Sequence, residues 1–223
     1  MEAVVARVLN SLLNKQNIFI IKGSEKELRR VLQDDRLARQ IMDYSRLPVK
    51  SPCNQKQIED YTDTDLFVLY KDDHQWRVLG IISCKVSFHA RHTEVAFWGL
   101  AIRTSSNMRY VCVTEDANVW NGSRSELGVS CELSTAAGRI LECYTNRIYM
   151  VKKYASAMDP ILEACIGAFY SRFKSTTAKQ RQAEPCVDEL SSPNHTQYCP
   201  HVCPLDELYF DIQRWRAEAL PEH

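Results

Sequence analysis

The sequence predicts an α/β protein, and three observations carry that expectation. Two apolar runs, Asp65-Leu-Phe-Val-Leu-Tyr70 and Val78-Leu-Gly-Ile-Ile-Ser-Cys-Lys-Val86, have the length and side-chain content of strands. Segments with apolar residues at helical spacing lie before and after them. The 223 residues, 45% hydrophobic and 25% charged, are enough for one substantial core with decorations.

Taken in order, residues 2–14 place Val4, Val5, Val8 and Leu12 at helical spacing. Asn17-Ile-Phe-Ile-Ile21 is a short apolar run, either a strand or a further helix turn. Ser24-Glu-Lys-Glu27 reads as a capping box that opens a helix through about Tyr44. Leu47-Pro-Val-Lys-Ser-Pro-Cys53 reads as a linker. The runs at 65–70 and 78–86 form a hairpin turned by Lys71-Asp-Asp-His74. A helix is expected over 91–103, a strand over 109–116, a loop over 116–138 and a strand within 139–150. Asp159-Pro opens a helix through about Phe173. Residues 174–198 read as a polar excursion, and 205–220 as a final helix. This divides the chain into an N-terminal helical region (1–54), a core (55–155) and a C-terminal helical region with a Cys/His-rich segment (156–223).

The chemistry concentrates at one end of the hairpin. Alternation along a strand puts Ile81, Ser83 and Lys85 on one face, and Ile82, Cys84 and Val86 on the other. The run is apolar on both faces up to Ser83, as in a central strand covered on both sides. A lysine there is costly unless it is paired or opens into a cleft. The less specific reading is that Lys85 marks where the strand emerges into solvent. Adjacent strands bring Asp65 and Lys85 together. A carboxylate to hold a hard cation beside an ammonium to act on water and phosphate suits metal-dependent phosphodiester hydrolysis. Asp63 competes with Asp65; Asp65 is preferred because it abuts the apolar run.

These residues resemble the PD-(D/E)xK nuclease core in its Ser-x-Lys variant, found among type II restriction endonucleases. The resemblance rests on Asp65, Ser83-Cys-Lys85, the segment Lys85 to Trp98 with Glu94, Arg109 to Asp116, and Arg139 to Met150. It covers roughly residues 55–152. No proline precedes Asp65, and Glu94 follows Lys85 by only nine positions. The resemblance implies a restriction-endonuclease-like core, a mixed central sheet flanked by helices. It implies a type II restriction endonuclease that cleaves double-stranded DNA at a specific sequence with Mg2+. Asp65 and Glu94 would bind the metal, Lys85 would position and activate water, and Ser83 would assist. A homodimer is expected, since a two-fold protein reads a two-fold site. Glu94 also has a simpler reading, as a first-turn acid suited to the helix dipole.

Other features bear on partners and location. The 28 basic and 28 acidic residues cancel, which weighs against a non-specific nucleic-acid binder but not against a specific nuclease. His89, Arg91 and His92 form a local basic cluster that is a candidate for DNA contact; solvated surface charge is the bland alternative. No apolar run reaches membrane-spanning length, and no signal peptide is read, so a cytoplasmic protein is expected. Nine cysteines in such a chain argue against a disulfide framework. Cys84, Cys112 and Cys143 are read as small buried hydrophobes in strands. Cys186, His195, Cys199, His201 and Cys203 are dense enough to suggest a structural Zn2+, against an ordinary proline-bounded loop. Two other functions stay open. One is a repair or recombination nuclease on the same core; the other is a zinc-bearing DNA-binding subunit of a multi-chain nuclease.

Overall fold

The computed structural model describes residues 1–50, 57–62, 64–72, 75–88, 91–106, 108–115, 127, 135–151 and 202–219. The elements in chain order are helix α1 (Glu2–Leu13) with a 3-10 turn (Asn14–Gln16), strand β1 (Ile18–Lys22), and helices α2 (Glu25–Leu32) and α3 (Asp35–Asp43). Strands β2 (Arg46–Lys50), β3 (Gln57–Tyr61), β4 (Leu66–Lys71) and β5 (Trp76–Lys85) follow, then α4 (His92–Ser105) and β6 (Arg109–Thr114). The last elements are α5 (Ala136–Tyr144), β7 (Arg147–Met150), β8 (Val202–Pro204) and α6 (Leu205–Ala219).

Six strands form one sheet in the order β1-β4-β5-β6-β7-β8. β4 is antiparallel to both of its neighbours, β1 and β5, while β5 through β8 run parallel. The expected mixed α/β architecture, a central sheet flanked by helices, is therefore observed. β2 and β3 pair separately as a two-stranded antiparallel ribbon. Parallel neighbours need a crossover, and α4 and α5 supply two of them.

Alternation divides the sheet's side chains between two cores. Ile82, Cys84, Val111, Val113 and Tyr149 pack on one side, with Val5 and Leu9 of α1 and with Leu208, Ile212 and Trp215 of α6. Phe67, Leu69, Ile81, Tyr110, Cys112 and Ile148 face the other, under Leu28, Ile41, Val95, Ile102 and Leu141 of α2 to α5. Ser83 and Lys85 follow Ile81 on that second face, as the sequence predicts.

Several expectations need correction. The helix expected over 24–44 is two helices. Ser24 does cap α2, accepting from the backbone N–H of Glu27, but Gln33 adopts φ 54 and Asp34 caps a new helix by accepting from Leu37 N–H. The supposed linker contains β2. Its Pro48 is tolerated because a two-stranded ribbon leaves each strand with an unpaired edge. The stretch 139–150 is not all strand. Thr135 caps α5 by accepting from Gly138 N–H at 3.0 Å, and only 147–150 is extended. Cys143 therefore sits exposed on a helix, whereas Cys84 and Cys112 are buried in strands as expected. The helix expected from Asp159 and the excursion after it lie outside the described residues.

The α2–α3 break makes a stability prediction. A left-handed side-chain-bearing residue costs roughly 1 kcal/mol that glycine avoids. Gln33→Gly should raise unfolding free energy by about that amount, and Gln33→Val should lower it. Denaturant midpoints that rank valine above glycine would contradict the observed break.

Candidate active site

Asp65 is held at the edge of β4 by the strand ladder itself. Leu66 pairs with Ile82, so Asp65, one residue earlier, lies across from Ser83. Its Oδ2 accepts the Cys84 backbone N–H at 2.6 Å, the Ser83 hydroxyl at 3.3 Å and the Lys85 ammonium at 3.4 Å. The sequence-predicted trio is thus gathered on one carboxylate oxygen by three successive residues of β5. The Lys85 side chain is only 4% exposed and that of Asp65 is 12% exposed, so the pair opens to solvent from the carboxylate side.

Two charges so placed are not there for stability. Each costs several kcal/mol to remove from water, and their attraction offsets this only with good geometry and full hydrogen bonding. The Asp65 charge also reaches its neighbour. Burial first, and the Asp65 carboxylate second, hold the Cys84 thiol protonated well above its usual range. Cys84 is therefore a packing residue whose backbone, rather than its sulfur, serves the site.

β6 completes this end of the sheet. Thr114 is level with Lys85 across the parallel pair, and its carbonyl accepts from Val151 N–H at 2.8 Å. Thr114 and the following Glu115 are both buried. The sequence analysis did not single out either one. Its available signal was a carboxylate directly after the apolar run 110–114, the mirror of Asp65 directly before its own run. The carboxyl ends of parallel strands are where open α/β sheets bind ligands.

The structure does not join the other predicted residues to the trio. Glu94 is exposed in the first turn of α4. Arg91 is exposed and His92 half-buried at the same helix start, while Asp63 and His89 lie outside the described residues. Cys186, His195, Cys199 and His201 also lie outside them. Cys203 falls in β8, packed in the first core, where burial, and next the Glu207 carboxylate, push its thiol up to about 12. Among the described residues no three His, Cys, Asp or Glu side chains are grouped to hold a metal. The Asp65 carboxylate, open to solvent, is a hard oxygen donor of the kind that suits Mg2+, which binds through one or two carboxylates and keeps waters and substrate phosphate for its other positions. Among the described residues no helix is long and apolar enough to cross a membrane.

A family model matches more than half of the chain. The family model of BsaWI restriction endonuclease, type 2, matches residues 38–175. The chain belongs to that family. Among solved structures it is similar to the pre-specific restriction endonuclease BsaWI–DNA complex, at 12% identity and a TM-score of 0.39, covering 81% of this chain and 62% of that one. It is also similar to the specific restriction endonuclease AgeI–DNA complex, at 14% identity and a TM-score of 0.44, covering 74% and 64%. The chain thus spans less than two thirds of the length of either structure. A comparison with curated protein sequences gives no match.

The burial asymmetry of the pair predicts unequal stability effects. Lys85→Met leaves Asp65 with its Ser83 and Cys84 donors and its opening to solvent, so it should cost less than removal of the carboxylate. Asp65→Leu strands Lys85 and should cost about 3–5 kcal/mol. Chemical denaturation of both variants, with equal losses, would contradict the assignment of Lys85 as the costly partner.

Proposed function

We propose that this chain is a type II restriction endonuclease that hydrolyses phosphodiester bonds of double-stranded DNA at a specific sequence, using Mg2+. The observation that carries the proposal is the convergence of Lys85, Ser83 and the Cys84 N–H on Asp65, at the carboxyl end of parallel strands, in a chain of a restriction-endonuclease family.

In this reading Asp65 holds the cation, and the Ser83 hydroxyl and Cys84 N–H fix the orientation of its carboxylate. The bound cation supplies Lewis-acid stabilisation of the phosphate and lowers the pKa of a bound water. Lys85 offers an ammonium to the attacking water and the scissile phosphate, where negative charge grows. Its burial beside Asp65 keeps that ammonium in place before substrate arrives. Glu94, in the first turn of α4, is the proposed second carboxylate; α4 covers the same face of the sheet as Lys85. Arg91 and His92, with His89, would meet the DNA backbone from the start of α4, where phosphate contacts position a duplex without reading its bases. Two copies would act together, because cutting both strands of a two-fold site requires two catalytic centres.

The test is incubation of the purified protein with phage DNA and Mg2+. Discrete fragments that vanish with chelator are expected, and sequencing their ends gives the site. Lys85→Ala should cut cleavage by on the order of 100-fold or more while leaving sequence-specific binding measurable. Asp65→Asn should abolish cleavage, and Asp63→Asn should retain most of it. Retained cleavage in Lys85→Ala, or the reverse order for the two aspartates, would overturn these roles.

A further inference from the structure

Asp65 lies just before the regular part of β4, with β5 on one side and the end of β1 on the other. Opposite it stands Gly23, in the turn between β1 and α2. The Gly23 N–H donates to the Asp65 carbonyl at 2.8 Å, extending the β1–β4 pairing by one residue beyond Lys22 and Leu66. The two backbones approach more closely than any side chain permits. A Cβ on Gly23 would lie 1.9 Å from the Thr64 carbonyl oxygen and 2.8 Å from its carbon. Cβ atoms essentially never come within 3.0 Å of a non-bonded heavy atom of a distant residue, and the obstacle here is backbone, not the end of a flexible side chain.

The segment on the other side cannot simply retreat. Thr64 Oγ1 and Thr62 Oγ1 share a buried hydrogen bond of 2.7 Å, and Thr64 N–H donates to the Thr62 carbonyl at 2.7 Å. Thr62 N–H in turn donates to the carbonyl of fully buried Ser45 at 2.8 Å. Thr62, Thr64 and Asp65 are therefore clamped between the β1–α2 turn and the end of α3. Two other glycines are approached by backbone somewhat less closely: a Cβ on Gly99 would lie 2.3 Å from the Tyr144 carbonyl oxygen, and one on Gly138 2.4 Å from that of Leu127. Both sit on helices that pack against one another or a loop, away from Asp65.

We propose that Gly23 is a positioning residue for Asp65: the missing side chain lets the β1–α2 turn set the backbone that carries the cation-binding carboxylate. This rests on the proposed nuclease reading, in which Asp65 holds the cation. The 2.6 Å bond from Cys84 N–H to Asp65 leaves little tolerance for displacement, and a misplacement of about 1 Å at a reacting centre costs on the order of 100-fold.

The experiment compares Gly23→Ala, Gly138→Ala and Thr64→Val with the wild type. Thermal unfolding reports stability, Mn2+ binding by electron paramagnetic resonance reports the carboxylate directly, and single-turnover cleavage across a Mg2+ titration reports function. Gly23→Ala should stay folded, bind Mn2+ at least about 10-fold more weakly and cleave about 100-fold more slowly, with the Mg2+ midpoint shifted upward. Gly138→Ala should lose stability with Mn2+ binding unchanged. Thr64→Val, which loosens the clamp from its other wall without adding volume, should weaken Mn2+ binding in the same direction. If Gly23→Ala does not fold, Thr64→Val decides alone. Wild-type Mn2+ affinity in a folded Gly23→Ala, or in Thr64→Val, would overturn the proposal. So would an equal weakening in Gly138→Ala. A wild type that neither binds Mn2+ nor cleaves would instead sink the nuclease reading, before any variant is compared.

Discussion

The register between β4 and β5 is the constraint on which the rest depends. Side chains alternate with a period of two, so a slip of one residue would carry Lys85 from the α4 side of the sheet into the core beneath α1 and α6. The register is not uniform along the pair. Val68 pairs with Gly80 and Leu69 with Val78, which leaves Leu79 as an extra residue on β5. Val78 packs in the second core and Leu79 in the first, so the bulge resets the phase of the strand before it reaches the site. From there Ile81, Ser83 and Lys85 run along one face in sequence. Gly80 permits the change at its neighbour strand, since a Cβ there would lie 2.8 Å from the Arg109 carbonyl oxygen.

This explains why the trio was legible without coordinates. The alternation from Ile81 to Lys85 lies wholly after the bulge, so a simple count of two gives the right face. Asp65 was legible because an acid directly before an apolar run falls at a strand end, and an antiparallel hairpin brings that end to the far end of β5. What could not be read were contacts made by backbone alone. The Gly23–Thr64 approach joins residues far apart in sequence, and a glycine between a strand and a capped helix looks like ordinary turn chemistry. Glu115 was passed over for a related reason. Its position at the site depends on β6 lying parallel beside β5, which local pattern does not specify.

The misassigned elements share a cause. The stretch from Arg139 to Tyr144 carries Ile140, Leu141 and Tyr144, apolar enough to pass for a strand. The deciding facts are the Thr135 cap and the need for a crossover between parallel β6 and β7. The single helix expected over 24–44 fails similarly, because Asp34 caps a second helix inside an unbroken amphipathic pattern. Local periodicity identified these segments as structured; the partner they pack against determined where each begins and ends.

Several carboxylates are buried among the described residues, and comparing one of them, Asp211, with Asp65 separates chemistry from architecture. Asp211 on α6 accepts from Tyr149 Oη at 2.5 Å and Arg147 Nη1 at 2.8 Å, and it pairs with Arg214. Burial first, then the bond to Asp211, pushes the Tyr149 hydroxyl above its ordinary range, so it remains a donor. Its three partners are side-chain donors of β7 and of α6 itself, and they tie that helix to the parallel end of the sheet. Asp65 is served differently. Its donors come from consecutive residues of one strand, one of them a backbone N–H, and the ammonium among them is almost fully enclosed while the carboxylate keeps an opening to solvent. A staple between elements gains nothing from enclosing a lysine at such a desolvation cost. In the proposed reading, a centre that receives a cation and a phosphate does, because the same enclosure strengthens the field that the ammonium exerts on whatever enters.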